Sequence, residues 1–184
     1  MSDQAKEIAN GVTARVVRDT VTEDGEIVED TFDWYAQDKE GNVWYLGENT
    51  AEFENDKIKT NEGSFEAGVD GAQPGIIMPA DPRDGMQYRQ EYCKGEAEDN
   101  GEVLSTDEMV QVPSGHYDNA LLTKDTISVE PNELEYKLYA KGVGPVLTLV
   151  VSGGPGNREE LINLDTASQK ETDEAGTAPL GSAS

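Results

Sequence analysis

Most of the chain consists of short runs in which apolar and polar residues alternate, set apart by Gly, Asn and Asp. The clearest run lies within residues 27–48. Phe32, Trp34 and Ala36 fall on one side of an extended chain and Asp33, Tyr35 and Gln37 on the other, the period of two that a strand requires. Lys39-Glu40-Gly41-Asn42 supplies a turn, with Gly41 and Asn42 both tolerant of positive φ. The return run Val43-Trp44-Tyr45-Leu46 has the β-branched and aromatic residues that fit a pleated, half-buried surface. The stretch therefore predicts a β-hairpin, with cross-strand ring contacts worth roughly 0.2–1 kcal/mol each.

The same grammar extends in both directions. Residues 12–19 predict a first strand, turned at Glu23-Asp24-Gly25 into the long strand that begins at Glu26. Segments 51–54, 57–60 and 64–67 continue as a tight meander. Residues 68–85 hold prolines, glycines and the apolar island Ile76-Ile77-Met78, and predict a long crossover loop. Strands follow over 88–93, 103–104, 109–112, 117–124, 134–140 and 145–151, with a loop at 153–157 and a last strand over 160–164. Valine and leucine on both faces of residues 146–151 mark that strand as central. Residues 2–10 offer a short helix at most, and Ala, Ser, Thr, Gly and Glu dominate 166–184, the composition of a disordered tail. The predicted organisation is a lead-in over 1–11, one β domain over 12–165 and a disordered tail over 166–184. Without an internal helix, the fold class is all-β: an antiparallel meander curved into a half-barrel or closed into a barrel, with a two-layer sandwich as the alternative.

Charge narrows the partners. Among 184 residues, 38 are acidic and 14 basic, a formal net charge of −24. Nucleic-acid binding and attachment to anionic membranes both want the opposite sign. Such a charge suits a secreted or salt-adapted protein kept soluble by self-repulsion, or one that attracts cations. The single cysteine, Cys93, has no partner for an intramolecular disulfide, so packing must supply the stability. No apolar run approaches the roughly 18 residues of a membrane span, and residues 1–11 lack a signal-peptide core.

Candidate chemistry is sparse. One histidine, His116, and one cysteine leave no zinc site of several His or Cys ligands. Ser114, His116 and Asp118 are close in sequence, but Ser114 sits in a turn without the strained elbow that presents a nucleophile. Calcium is the one metal the composition leaves open, through Asp70, Asp81 and Asp84, although no EF-hand loop fits. Gly142-Val143-Gly144 runs into a strand and lacks the helix that would bind phosphate. No catalytic residue, cofactor or metal site is assigned. The polar strand faces carrying Asp33, Tyr35, Gln37, Gln90 and Glu91 are the exception, because polar groups inside a barrel must be satisfied by each other, by water or by a ligand.

The phrases VPSGHYDNALLTKD (112–125) and EYKLYAKGVGPV (135–146), with the hairpin DWYAQDKEGNVWYLGE and the loop EAGVDGAQPGIIMPADP, resemble segments of secreted bacterial β proteins near the half-barrel lipoprotein and lipid-carrier families of the cell envelope. The resemblance covers roughly residues 11–151, departing at His116 and Pro145. It implies a secreted, periplasmic or cell-surface product whose leader or lipid anchor is not in this sequence. It also implies a twisted, lipocalin-like sheet around an apolar cavity, and no catalytic residues. Joined to the aromatic density of the strands, this gives the leading expectation: a noncatalytic protein holding a small apolar or amphipathic ligand. Trp34, Trp44, Tyr45, Tyr88 and Tyr92 would wall the cavity, all facing the concave side of one bent sheet, and Ile77 and Met78 would cover it. The alternatives are a carboxylate-dependent hydrolase or isomerase in the same cavity, or a surface interaction module held by exposed strand edges. The oligomeric state is left open.

Overall fold

The computed structural model describes residues 4–152 and 158–182; the loop expected at 153–157 lies outside them. The fold is antiparallel and almost wholly β, as the alternation predicts. Its strands are β1 (Ala5–Glu7), β2 (Thr13–Glu23), β3 (Glu26–Gln37), β4 (Val43–Glu54), β5 (Lys57–Thr60), β6 (Phe65–Glu66), β7 (Gln73–Met78), β8 (Gln87–Arg89), β9 (Glu91–Tyr92), β10 (Asp99–Val112), β11 (Gly115–Ile127), β12 (Leu134–Ala140), β13 (Gly144–Ser152) and β14 (Arg158–Glu160). One helix, α1 (Gln169–Ala175), follows them.

The strands form two sheets. In the first the order is β1-β2-β3-β4-β7-β9, with β5 and β6 also paired to β4; in the second it is β14-β13-β12-β11-β10-β8. Neither sheet closes into a barrel. They are joined at Gln90, the single residue between β8 and β9, where one extended run leaves the second sheet and enters the first. Gln90 is buried, and its backbone N–H donates to Asp99 O at 2.8 Å, which holds the corner against the start of β10.

Apolar side chains gather in three small cores, in keeping with sheets that curl without closing. On one face of the first sheet, Ala14, Val16, Trp34, Leu46 and Ala67 pack with Ile8 from the N-terminal segment. Lys6 covers the Trp34 ring at 4.4 Å and pairs with Glu66 at 2.9 Å. On the opposite face Tyr45, Phe65, Ala72 and Ala97 form a second core, with Tyr35, Ile77 and Cys93 against it. The third, around Val110, Val112, Ala120, Leu138, Ala140, Val146 and Leu147, belongs to the second sheet.

Three expectations are corrected. Ile77 and Met78 are not on a covering loop: they lie in β7, which pairs with β4 through Trp44↔Ile76 and Val43↔Met78. The strand expected at 103–104 is far longer: Asp99-Asn100-Gly101, a turn or bulge by sequence, open the 14-residue strand β10, paired on both sides by β8 and β11. Residues 166–182 are not a free tail. Ser168 caps α1 with a reciprocal capping box to Glu171, and the segment after it docks on the first sheet at Arg18 and Asp30.

Candidate functional site

The site is built by an irregularity in the central hairpin. Along β3 and β4, Asp33 pairs with Glu48 and Tyr35 with Tyr45, so two steps on β3 match three on β4. This bulge falls at Gly47, whose φ of +119° and close approach to β6 suit only glycine: a Cβ there would stand 2.2 Å from the Phe65 carbonyl oxygen. A regular strand would send Tyr45 and Glu48 to opposite faces. The bulge brings them to the same one, beside Asp33 and Tyr35.

There the Tyr45 hydroxyl stands 2.7 Å from Asp33 Oδ1 and 2.9 Å from Glu48 Oε2. A phenol has one proton to donate, so the second contact requires a proton on one of the two carboxyl groups. Burial moves both acids the same way. It raises Asp33 to about 6 against the opposing Tyr45 hydrogen bond, with the charges of Asp19 and Glu29 adding to the rise. It raises Glu48 to about 7, again against Tyr45, with Asp33, Glu29 and Asp99 adding.

A second pair of acids lies at the joint, Glu91 on β9 and Asp99 at the start of β10. Burial, the neighbouring Asp99 carboxyl, and the charges of Glu48 and Asp33 push Glu91 well above the ordinary carboxylate range, and burial raises Asp99 as well. The two sheets sense each other here: Glu48 feels Asp99, and Tyr35, held far above its usual range chiefly by burial, feels Tyr139 of β12.

The face of the second sheet toward this layer is also polar. Lys137 lies 3.0 Å from Glu135 and 3.4 Å from Asp125. Burial alone would lower the lysine, but Tyr139, Asp125 and Glu135 outweigh it and keep it charged. Gln90 Nε2 donates to Asp125 Oδ2 at 3.3 Å. The Tyr88 ring crosses Gly101, where a Cβ would meet Cζ at 2.6 Å, and Gly101 pairs with Asp125. On this patch three buried polar atoms have no partner: Tyr88 Oη, Thr123 Oγ1 and Asp125 Oδ1. Thr123 and Asp125, two apart on β11, share a face. Asp125 lines a cavity of about 30 Å³ together with Gln90, Asp99, Thr126, Ile127, Glu133, Glu135 and Lys137; Thr123 and Tyr88 lie outside its lining. A wider cleft of about 450 Å³, which includes Gln87, Arg89, Glu102 and Lys124, is likewise polar.

The five predicted wall residues and the two predicted cover residues do not share one surface. Trp34 faces the core with Ile8, and Trp44, paired with Ala36, points to the same side, its Nε1 donating to Asp38 Oδ2 at 2.8 Å. That bond, with two from Asn42, holds the Asp38 carboxyl down at about 2 and locks the hairpin turn. Tyr45 and Ile77 take the opposite face, Tyr45 stacking at 5.1 Å on Tyr35 and edge-on at 5.8 Å to Phe65. Met78 pairs with Val43, Tyr88 belongs to the polar patch, and Tyr92 lies under Arg89 at 4.7 Å. Of the seven, only Tyr45 and Tyr88 contribute polar atoms to the layer. Asp33 and Glu91 belong to the polar strand faces singled out in the sequence, whereas Glu48, Asp99, Thr123, Asp125 and Lys137 were not anticipated, although Gly47, a lone glycine inside a strand pattern, is the usual sequence mark of a bulge.

Ser114 bonds to Tyr117 and His116 to Asp118, so the serine and histidine are not engaged with each other. Asp81 pairs with Arg83 on the surface. Among the described residues, no group of three or more His, Cys, Asp or Glu is placed to hold a metal ion, and no helix is long and apolar enough to cross a membrane. No protein-family model, curated protein or solved structure matches the chain.

Proposed function

We propose that the protein is a noncatalytic binding module, a half-barrel of two sheets that takes the cationic head of a small amphipathic ligand into the layer between them. The observation that carries this reading is that, among the described residues, three buried polar atoms have no hydrogen-bond partner, on Tyr88, Thr123 and Asp125, and that Asp125 lines a small cavity between the strands. Buried polar groups in folded proteins nearly always have partners, so three orphans together mark a place for something that supplies hydrogen bonds. Asp125 Oδ1 can only accept, and Lys137, 3.4 Å from Asp125 Oδ2, is one cation among the four acids Asp99, Asp125, Glu133 and Glu135 of the lining, a balance that favours a donor with positive charge. About 30 Å³ holds one water-sized group, the size of a primary ammonium head. The net charge of −24 would raise the local concentration of such a ligand. A secreted, periplasmic or cell-surface setting is supported by the resemblance of residues 11–151 to envelope proteins.

Isothermal titration with hexylammonium, hexanol and hexanoate tests the reading. Saturable one-to-one heat with hexylammonium, none with hexanoate, and its loss in the Thr123→Val/Asp125→Asn double variant are expected. No saturable heat, or equal heat in the variant, would overturn it.

The carboxylate-dependent enzyme remains a second reading because burial and the neighbouring acids push the half-buried Glu91 well above the ordinary carboxylate range, the direction a general acid needs. Hydrolysis of nitrophenyl glycosides or esters that disappears in Glu91→Gln would favour it; no turnover, or turnover unchanged in Glu91→Gln, would remove it.

A further inference from the structure

The face of the first sheet that carries Trp34 also carries a second polar centre, at the other end from the N-terminal segment. Arg18 and Asp30 sit on neighbouring strands there, with side-chain exposures of 9% and 0%. Arg18 Nε donates to Asp30 Oδ1 at 2.9 Å and Nη2 to Oδ2, a bidentate pair. Thr20 Oγ1 adds a third bond to Asp30, at 2.9 Å. The Arg18 guanidinium also lies 5.3 Å from the Phe32 ring.

The rest of the bonding capacity of this pair is spent on the main chain of the C-terminal segment. Arg18 Nη1 donates to Ala175 O at 3.0 Å, and Nη2 to Pro179 O and Ser182 O, each at 3.2 Å. Asp30 Oδ2 accepts from the Gly181 N–H at 2.7 Å. Residues 179–182 form a tight turn, closed by Ser182 N–H to Pro179 O at 3.2 Å. Only glycine serves at 181, because its φ is +78° and a Cβ would stand 2.4 Å from Phe53 Cε1.

No residue of α1 is buried, and the connection from β14 exposes Ile162 and Leu164 to 75% and 61%. An ion pair fixed within the sheet that reads three carbonyls and one N–H of a separate segment has the logic of a peptide receptor, in which main-chain bonds give affinity and one shaped contact gives selectivity.

We propose that Arg18, Asp30 and Phe53 form a peptide-binding site whose occupant is this chain's own Pro-Leu-Gly-Ser turn (179–182), a detachable C-terminal plug that the same turn supplied by a second molecule can replace. In the intact chain the plug acts at an effective concentration on the order of millimolar, so it outcompetes a free peptide present at micromolar levels.

The test uses the full chain, the Gly181→Val chain and synthetic peptides spanning residues 171–182 with and without the same substitution. In the wild-type chain, hydrogen exchange should show the Gly181 amide protected, and in Gly181→Val that protection should be gone while circular dichroism and the melting curve stay cooperative. The vacated site should then bind the native peptide with one-to-one saturation, bind the substituted peptide at least about tenfold more weakly, and bind the native peptide at least about tenfold more tightly than the wild-type chain does. An unprotected Gly181 amide in the wild type, equal binding of the two peptides, or no binding to a folded Gly181→Val chain would overturn the proposal. If Gly181→Val fails to fold, displacement is read in the wild type instead: millimolar native peptide should speed exchange at Gly181, and the absence of that effect would count against the plug.

Discussion

Replacing Glu48 by glutamine removes the need for a proton between Asp33 and Tyr45, and its effect can be worked out in advance. In the native layer, Tyr45 satisfies one acid with its own proton, and the contact with the other needs a proton held on a carboxyl group. Glu48, ordinarily 4.5, is raised to about 7 by burial. The fold therefore keeps a proton that the unfolded chain releases above pH 4.5. Stability from this group is fully present below that value and is lost as pH rises to about 7. Each unit of pKa difference corresponds to about 1.4 kcal/mol, so the loss is about 3 kcal/mol for Glu48 alone, and about 2 kcal/mol after allowance for water reaching a half-buried group. In Glu48→Gln the amide donates to Tyr45 and Tyr45 donates to ionised Asp33, so that loss disappears. Urea denaturation at intervals from pH 5 to 8.5 should show the wild type losing about 2 kcal/mol more than the variant, near-equality at pH 5, and a melting point about 4–8 °C higher for the variant at pH 8. Parallel stability curves for the two proteins would refute the shared proton.

Three other perturbations bear on the same architecture. Gly47→Ala should destabilise the fold by about 2–4 kcal/mol in denaturant titration, since it forces a Cβ against the Phe65 carbonyl at a positive φ, and a neutral result would mean that the bulge is absent. Arg18→Met leaves Asp30 buried without its cation and should cost about 3–5 kcal/mol at pH 7. Asp30 is held below its usual value by hydrogen bonds from Arg18, Gly181 and Thr20 that outweigh burial, so the wild type loses this contribution as pH falls into the acid range; the penalty of the substitution should shrink there, and a pH-independent penalty would contradict the pairing. Thr123→Val replaces an unpartnered hydroxyl with a methyl group of similar size and should be neutral or stabilising by up to about 1 kcal/mol in the free protein; a large loss of stability would show that the hydroxyl already has a partner.

The hairpin was legible in the sequence because its determinants are local. The turn at residues 38–42 and the pairing of Gln37 with Val43 follow from Asp38, Gly41 and Asn42, all within six residues of one another. Alternation also predicted the antiparallel, all-β class. It could not predict the acid layer, because a one-residue bulge inverts the side on which every following side chain lies, and period-two counting through Gly47 puts Glu48 on the wrong face. The aromatic residues misled for a different reason: Trp44 and Tyr45 were assigned to one wall although they are adjacent in a strand, where neighbours serve opposite faces. Pairing of β7 with β4 was hidden by Pro74, Gly75 and Pro79 around a short apolar run that reads as a loop. The C-terminal segment shows the farthest limit. Its composition is that of a disordered chain, and its order comes from Asp30 and Gly181, 151 residues apart.

The most direct test of the acid layer is carboxyl carbon NMR across pH 3–10 on uniformly labelled protein. Glu48 is expected to titrate near 7 and Glu91 higher still, both shifted downward when an ammonium ligand binds beside Asp125. Every aspartate and glutamate titrating below pH 5 would mean that no carboxyl proton is held between the sheets, and the account would fail.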